Sequence, residues 1–333
     1  MSEPLSLSAA SGRLSPASVI RADGLRHSYD GQKYALDGVS FTVERGEVFG
    51  LLGRNGAGKS TLIKAMTTLI QPSEGGLEIL GMDARREGRK IRRRIGVVQQ
   101  GESFEFATVE SGLDIYGRLW GIPREVRQER VEWLIEQFGL GEFRKKRAWD
   151  LSGGQKRRVQ VAREFIHDMD VLFLDEPTIG LDVVMRRSLL DLIREHVRKG
   201  LTVVFTTHNL EEADYLCDRV AVIDRGKFIA LDTVAELKRL YGGKQTIDIT
   251  VGAGDSARFY PALGSDVGDG GTVTVHGSSA ILLVADPKVA LAKIVALAQR
   301  LGVRIEWLTV RPNTLEDVFL RSLEPEGDSA GRP

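Results

Sequence analysis

One cysteine, Cys217, stands in 333 residues; it leaves an intrachain disulfide without a second partner and does not by itself point to a metal site. No charge of either sign is in excess. Lys and Arg number 46 against 46 Asp and Glu, so nothing in the balance calls for nucleic acid as a partner. No apolar run approaches the roughly 18 residues that cross a bilayer. The longest clusters, such as Ala280-Ile-Leu-Leu-Val-Ala285, have the length of a strand, and the chain is not expected to span a membrane alone. Residues 1–17 are rich in Ser and Ala but lack a charged start and a long apolar centre, so they read as a flexible tail and not as a signal peptide. At 42 % hydrophobic and 28 % charged residues the remainder is ordinary for a globular protein, with length for one large or two average domains.

Against these absences stands the stretch Val48 to Thr61. It contains Gly53-Arg54-Asn55-Gly56-Ala57-Gly58-Lys59-Ser60-Thr61, which fits the phosphate-binding pattern G-x-x-x-x-G-K-S. The apolar run Val48, Phe49, Leu51, Leu52 before it predicts a buried strand, and Thr61 to Ile70 predicts a helix leaving the loop. Glycines at 53, 56 and 58 let successive N–H groups turn toward an anion without a Cβ in the way. The helix start adds its partial positive charge. Lys59 is placed to bridge the β- and γ-phosphates of a nucleotide, and the Ser60 hydroxyl to hold Mg²⁺.

Along the chain, Val19 to Tyr29 and Tyr34 to Val43 predict two strands around a turn at Asp30-Gly31. Leu77 to Leu80 predicts a short strand. Arg85 to Arg94 is strongly basic; such a run serves nucleic acid or lipid head groups in some proteins, and the balanced overall charge favours a solvated helix face here. Ile95 to Val98 is a further buried strand. From 101 to 165 the pattern turns helical, at Val109 to Trp120, Pro123 to Phe138 and Gly154 to Phe165, with aromatics Phe104, Phe106, Tyr116 and Trp120 that suit either a core or a docking face. Val171 to Leu174 is a continuous apolar strand of the kind a parallel sheet buries on both faces. Met185 to Lys199 predicts a helix, Leu201 to Phe205 a strand, Leu210 to Cys217 a helix, and Arg219 to Ala230 a hairpin around Asp224-Arg-Gly226. Alternating strands and helices define an α/β domain over 18–238 with a mostly parallel sheet. The order β-α-β-β-α-β then predicts a small ferredoxin-like α+β domain over 239–322, closed by a helix that Thr314 caps. Residues 323–333 are polar and read as disordered.

Turning a nucleotide over needs an acidic centre. Asp175 and Glu176 follow a parallel strand at its carboxyl end, where open α/β sheets place their ligands. Asp175 would hold Mg²⁺, directly or through water, and Glu176 would act as general base on the attacking water. Between the loop and this pair stands Leu151-Ser152-Gly153-Gly154-Gln155. The ordered set of Gly53 to Ser60, Gln100, Leu151 to Gln155, Asp175-Glu176, Asp182 and His208 resembles the ABC ATPases over residues from about 20 to 235. The resemblance implies a P-loop NTPase (ABC ATPase) domain with an antiparallel β subdomain and a helical insertion over 101–165. It also implies that Leu151 to Gln155, at a helix start suited to an anion, faces the γ-phosphate held by a second copy, so that two ATP molecules lie sandwiched in a head-to-tail dimer. By the same resemblance Asp182 lies at that interface and His208 contacts the γ-phosphate and helps position the water. Gln100 reaches Mg²⁺ and the water, with the adjacent Gln99 as the alternative register. Tyr29 stacks on adenine by resemblance; an ordinary strand-end tyrosine is the other reading. His27, His167, His196 and His276 have no comparable setting and receive no role.

The resemblance implies an ATP hydrolase that works as the motor of a multi-chain transporter, bound to a separate membrane-spanning permease at the cytoplasmic face of the cell membrane. Asn313 to Leu320 resembles the tail domain of drug-resistance-type bacterial exporters, which leans the reading toward export of a hydrophobic drug or lipid-like compound. The alternative is an ABC ATPase acting in translation or DNA repair without a membrane partner. Those relatives usually carry two cassettes, a long coiled coil or zinc hooks, and this sequence has one phosphate loop, no heptads and no paired cysteines. A third possibility is that the C-terminal domain binds a small regulator, which fold alone does not decide.

Overall fold

Val48 to Leu52 is buried at every position, and a strand with no polar face must be covered on both sides. In the computed structural model, which describes residues 18–98, 107–241, 244–252, 254–266, 272–311 and 313–322, the chain divides into two compact units, 1–231 and 232–333. The first opens with β1 (Ser18–Ser28), β2 (Tyr34–Glu44), β3 (Val48–Leu52) and α1 (Lys59–Met66). β4 (Glu74–Ile79), β5 (Met82–Asp83), α2 (Gly88–Arg92) and β6 (Ile95–Val98) follow. The helices α3 (Val109–Leu119), α4 (Arg124–Gln137) and α5 (Gly153–Glu164) come next. Then β7 (Val171–Asp175), α6 (Val183–Arg198), β8 (Thr202–Thr206), α7 (Leu210–Leu216), β9 (Arg219–Asp224) and β10 (Lys227–Thr233) complete the run.

Two sheets form. One has the order β2-β1-β4-β5 with antiparallel neighbours; the other has the order β10-β9-β3-β8-β7-β6, in which β9, β3, β8, β7 and β6 run parallel. One core holds Ile20, Leu36 and Phe41 of the first sheet, Leu62, Ile63 and Met66 of α1, and Phe49, Phe173 and Val204 of the second. Each such side chain contributes about 1.5–3 kcal/mol by leaving water. The β9–β10 turn has positive φ at both Arg225 (46°) and Gly226 (78°), the geometry that matches strand twist in a two-residue hairpin. Its tip braces the phosphate loop: the Gly226 N–H donates to Ala57 O at 2.8 Å.

The helix after the loop is shorter than its sequence predicts. It ends at Met66, because the Thr67 hydroxyl bonds back to Ile63 O at 2.8 Å and Thr68 takes a left-handed φ of 58°, which no helix continues through. β4 in turn starts at Glu74, earlier than expected, since pairing with β1 extends to Arg26. In the helical segment Gly117 makes room for Arg127: a Cβ there would lie 2.7 Å from the Arg127 Cγ and Cδ. The buried Arg127 pairs with Asp114 and donates to Ile122 O at 2.8 Å. Trp120 turns out to be packed, its ring stacked on the buried His167 at 3.8 Å, and Tyr116 lies beneath the Arg163 guanidinium. Phe104 and Phe106 lie outside the described residues.

The second unit holds α8 (Val234–Tyr241), β11 (Gln245–Val251), α9 (Ser256–Asp266), β12 (Thr272–His276), β13 (Ser279–Val284), α10 (Pro287–Leu301), β14 (Ile305–Arg311) and α11 (Leu315–Ser322). Its sheet has the order β12-β13-β11-β14 with every neighbour antiparallel, which with this element order is the ferredoxin-like arrangement. Period-two burial drives it: Ile247, Ile249 and Val251 point to the core with Phe259, Leu263, Ile294 and Leu297 of α9 and α10, while Thr246, Asp248 and Thr250 alternate with them. Asp286 caps α10 ahead of Pro287, and Thr314 accepts the Asp317 N–H at the start of α11. α8 packs on α11, and Asn313 Nδ2 donates to Lys238 O at 3.2 Å. The residues from Val234 onward therefore belong with this unit.

Candidate nucleotide site

β3, β7 and β8 end level with one another. Leu51 pairs with Thr206, and Thr206 with Asp175. The turns that leave these strand ends carry most of the residues the sequence singles out.

After β3 the loop curls at Gly56 (φ 80°) and Gly58 (φ 117°). A Cβ on Gly58 would lie 2.6 Å from Ala35 O, and one on Gly53 would strike Ile223 O, so backbone crowding demands glycine at both. No atom lies within 4 Å of where a Gly56 Cβ would be, and Arg54, Asn55 and Ser60 are exposed beside it while Ala57 is buried. α1 starts with no side-chain cap, so its first N–H groups have no side-chain acceptor, which suits a phosphate. Lys59 is buried and donates to Gly53 O at 2.5 Å and Arg54 O at 3.2 Å. Burial pulls its ammonium below the ordinary lysine range, and the charges of Glu176 and Asp175 oppose that shift. The Thr61 hydroxyl lies 3.3 Å from the Tyr29 hydroxyl; Tyr29 is 62 % exposed, with its ring edge-on to His27.

After β7, Asp175 Oδ1 accepts from the Thr206 hydroxyl at 2.7 Å. The chain then turns sharply. Glu176 has φ 51°, and its N–H donates to both the carbonyl and the hydroxyl of Thr206 at 3.1 Å. A left-handed glutamate is strained backbone, and such strain clusters at functional turns. The Glu176 side chain is buried, and its Oε2 meets His208 Nδ1 from the turn after β8. Glu176 and His208, 32 residues apart, are thus brought into direct contact.

Leu151 to Gln155 sits elsewhere in the same unit. Ser152 caps α5 and Gln155 returns the bond to the Ser152 N–H, a complete capping box. Leu151 is buried, Ser152 and Gly153 are exposed, and Gly154 lies against Gly180 O so closely that a Cβ would strike it. Asp182 caps α6 by accepting the Met185 N–H at 2.9 Å. Among the described residues, no hydrogen bond or ion pair joins Leu151–Gln155 to Gly53–Ser60. Gln100 and its alternative Gln99 lie outside the described residues. Gly154→Ala is expected to lower thermal stability and phosphate release together, because the added methyl forces α5 off the Gly180 backbone; unchanged values for both would show that the turn yields freely.

Three residues of this site escape sequence reasoning. Arg157 receives no role from the sequence, yet it is buried and donates to the carbonyls of Asp175, Glu176 (2.9 Å) and Pro177 (3.2 Å). Burial pulls its guanidinium down, and the Asp175 and Glu176 charges act the other way. Thr206 lies just past the predicted strand Leu201 to Phe205; it is the last residue of β8 and holds both acids. Glu212, the buried half of Glu211-Glu212, accepts from Thr178 and Thr207. The available signal for Arg157 was helical spacing, since it shares a stripe with Val161 and Glu164 on α5.

A phosphate loop at one strand end, an acid turn at the next and a histidine turn at a third define a P-loop nucleotide-binding cassette. A family model described as ABC transporter matches residues 36–179. The chain is similar to the daunorubicin resistance ATP-binding protein DrrA3 of Streptomyces coeruleorubidus, 39 % identical over 308 residues that make up 90 % of this chain and 94 % of that protein. It is also similar to the linearmycin resistance ATP-binding protein LnrL of Bacillus subtilis, 34 % identical over 261 residues, 78 % of this chain and 82 % of that one. A solved ATP-binding cassette, a dimer in a post-hydrolysis state bound to ADP and Pi, matches with a TM-score of 0.60 at 25 % identity over 64 % of this chain and 98 % of that chain. The chain belongs to the ABC transporter family. Its first unit is an ABC ATPase domain, and among the described residues no helix is long and apolar enough to cross a membrane.

Proposed function

We propose that this chain is the ATP-hydrolysing motor subunit of a multi-chain exporter and works as a head-to-tail homodimer. The observation that carries the reading is the meeting of Glu176 and His208 at a buried turn whose charge acts on Lys59. Glu176 takes the proton of the attacking water, His208 orients that water and the γ-phosphate, and Lys59 holds the phosphates with the loop N–H groups of Gly53 to Thr61. Ser60, Asp175 and Gln100 would hold Mg²⁺, which supplies charge neutralisation on the phosphate oxygens. The signature Leu151–Gln155 has no bond to its own phosphate loop, which supports its use on the loop of a second copy, with Asp182 beside it. Tyr29, open to solvent next to Thr61, stacks on adenine.

In this reading the first unit forms the motor, with α3, α4 and α5 as its helical arm toward a membrane-spanning permease at the cytoplasmic face, and the second unit, from α8 onward, is an accessory domain. The relatives' names speak of resistance to daunorubicin and linearmycin, which supports a hydrophobic drug or lipid-like cargo moving outward. Co-expression with a candidate permease tests it: the chain is expected to sediment with membranes, and efflux of such a compound to require ATP. Persistent absence from the membrane fraction would sink the transport reading in favour of a motor acting without a membrane partner. Truncation after Thr233 is expected to leave ATP affinity within about threefold, since additive behaviour holds for independent units. Loss of ATP binding would show that the two units depend on each other.

A further inference from the structure

We propose that Glu212 is a positioning residue for hydrolysis, holding the His208 turn at a set distance from the Glu176 turn; this rests on the roles given to Glu176 and His208 above. Glu212 lies in the first turn of α7 and is 4 % exposed. Its Oε2 accepts two hydroxyl bonds at 2.8 Å, one from Thr178 and one from Thr207, and its Oε1 lies 3.3 Å from Arg186 Nε. A carboxylate out of water is costly unless fully partnered, and a buried ion pair by itself adds little stability over apolar packing. What distinguishes this carboxylate is what it joins.

Thr178 stands two residues after Glu176 and leads into Gly180–Asp182. Thr207 stands immediately before His208. Arg186 sits one turn into α6, whose cap is Asp182. One oxygen atom therefore ties the base-bearing turn to the histidine turn, and the other ties both to the helix behind Asp182. The Thr207 hydroxyl donates to Glu212 and accepts the Asn209 N–H at 3.0 Å, which settles both its donor and its acceptor. Asn209 in turn caps α7, accepting from Glu211 N at 3.0 Å and Glu212 N at 3.4 Å. His208 thus hangs between two fixed residues while its own side chain is 69 % exposed. Its imidazole is aimed at Glu176 by the backbone that Glu212 anchors, more than by packing around the ring.

The test uses the full chain and Thr207→Val, which keeps the shape and removes the hydroxyl, alongside Glu212→Ala and Glu212→Gln. Thr207→Val is expected to lower kcat about tenfold with KM for ATP and the stoichiometry of nucleotide binding unchanged, the signature of an interaction made in the transition state. Glu212→Gln, which keeps an acceptor oxygen, is expected to retain most of the activity that Glu212→Ala loses. In single-turnover assays with labelled ATP, Thr207→Val placed in a His208→Ala chain is expected to change the residual rate less than about twofold, because coupled residues are not additive. A structural role alone would lower both backgrounds by the same factor, and that result would overturn the proposal. So would a wild-type rate for Thr207→Val beside an impaired His208→Ala. His208→Ala at wild-type rate would overturn the reading of His208 itself, and the positioning role with it.

Discussion

Glu176→Gln is expected to bind ATP as the parent does and to hydrolyse it about 10²- to 10⁴-fold more slowly, the range general-base catalysis supplies. The substitution keeps the side-chain volume and the Cβ, so the left-handed backbone at φ 51° and the two bonds from the Glu176 N–H to Thr206 persist. What is lost is the capacity to take a proton and the charge that acts on Lys59. With hydrolysis stalled, the proposed head-to-tail dimer is expected to hold its nucleotide, to accumulate, and to elute as a dimer in size-exclusion chromatography with ATP. Phosphate release and equilibrium ATP binding measure the two halves separately. Wild-type phosphate release from this variant would remove Glu176 from the role of base.

Arg157→Met is expected to destabilise the first unit by on the order of 3–5 kcal/mol, the range for breaking a buried charged partner out of its contacts. The guanidinium donates to three successive carbonyls, those of Asp175, Glu176 and Pro177, and methionine fills its volume without one donor. Those buried acceptors are left unmatched, which costs free energy well beyond the lost bonds. The turn that presents Glu176 loosens as well, so kcat is expected to fall in the fraction that folds. Arg157→Lys retains charge but not the planar fork and is expected to fall between the two. Thermal unfolding and phosphate release check both effects. A wild-type midpoint for Arg157→Met would show that water or neighbouring groups satisfy the carbonyls.

Much of the architecture was legible because its signals are local. Four large apolar residues within five positions announce β3, alternation announces β11, and glycine at 226 announces the β9–β10 hairpin, each from a window of a few residues. The phosphate loop is legible for the same reason: the proposed binding by Gly53 to Ser60 uses the loop's own backbone, so the pattern and the proposed chemistry occupy the same eight positions. The end of α1 was not legible, since Thr67 and Thr68 permit a helix and only their local bonding and left-handed turn stop it. Trp120 suited a core or a docking face alike, because nothing near it in sequence reveals His167, 47 residues on, as its stacking partner.

The sequence by itself determined where a phosphate-binding pattern lies, which strand and helix flank it, and which acids and which histidine stand at neighbouring strand ends. Only the tertiary structure decided which side chains hold those ends against one another. Glu211 and Glu212 are the same residue type side by side, and no local preference separates the buried member from its neighbour; for Arg157 beside Arg158 the only local mark is the helical stripe it shares with Val161 and Glu164. That distinction comes from the close approach of α5 to the turn after β7 and of α7 to the turns after β7 and β8. Long-range contact selects which charge loses its water, and hydrogen bonds from distant segments are what make that burial tolerable.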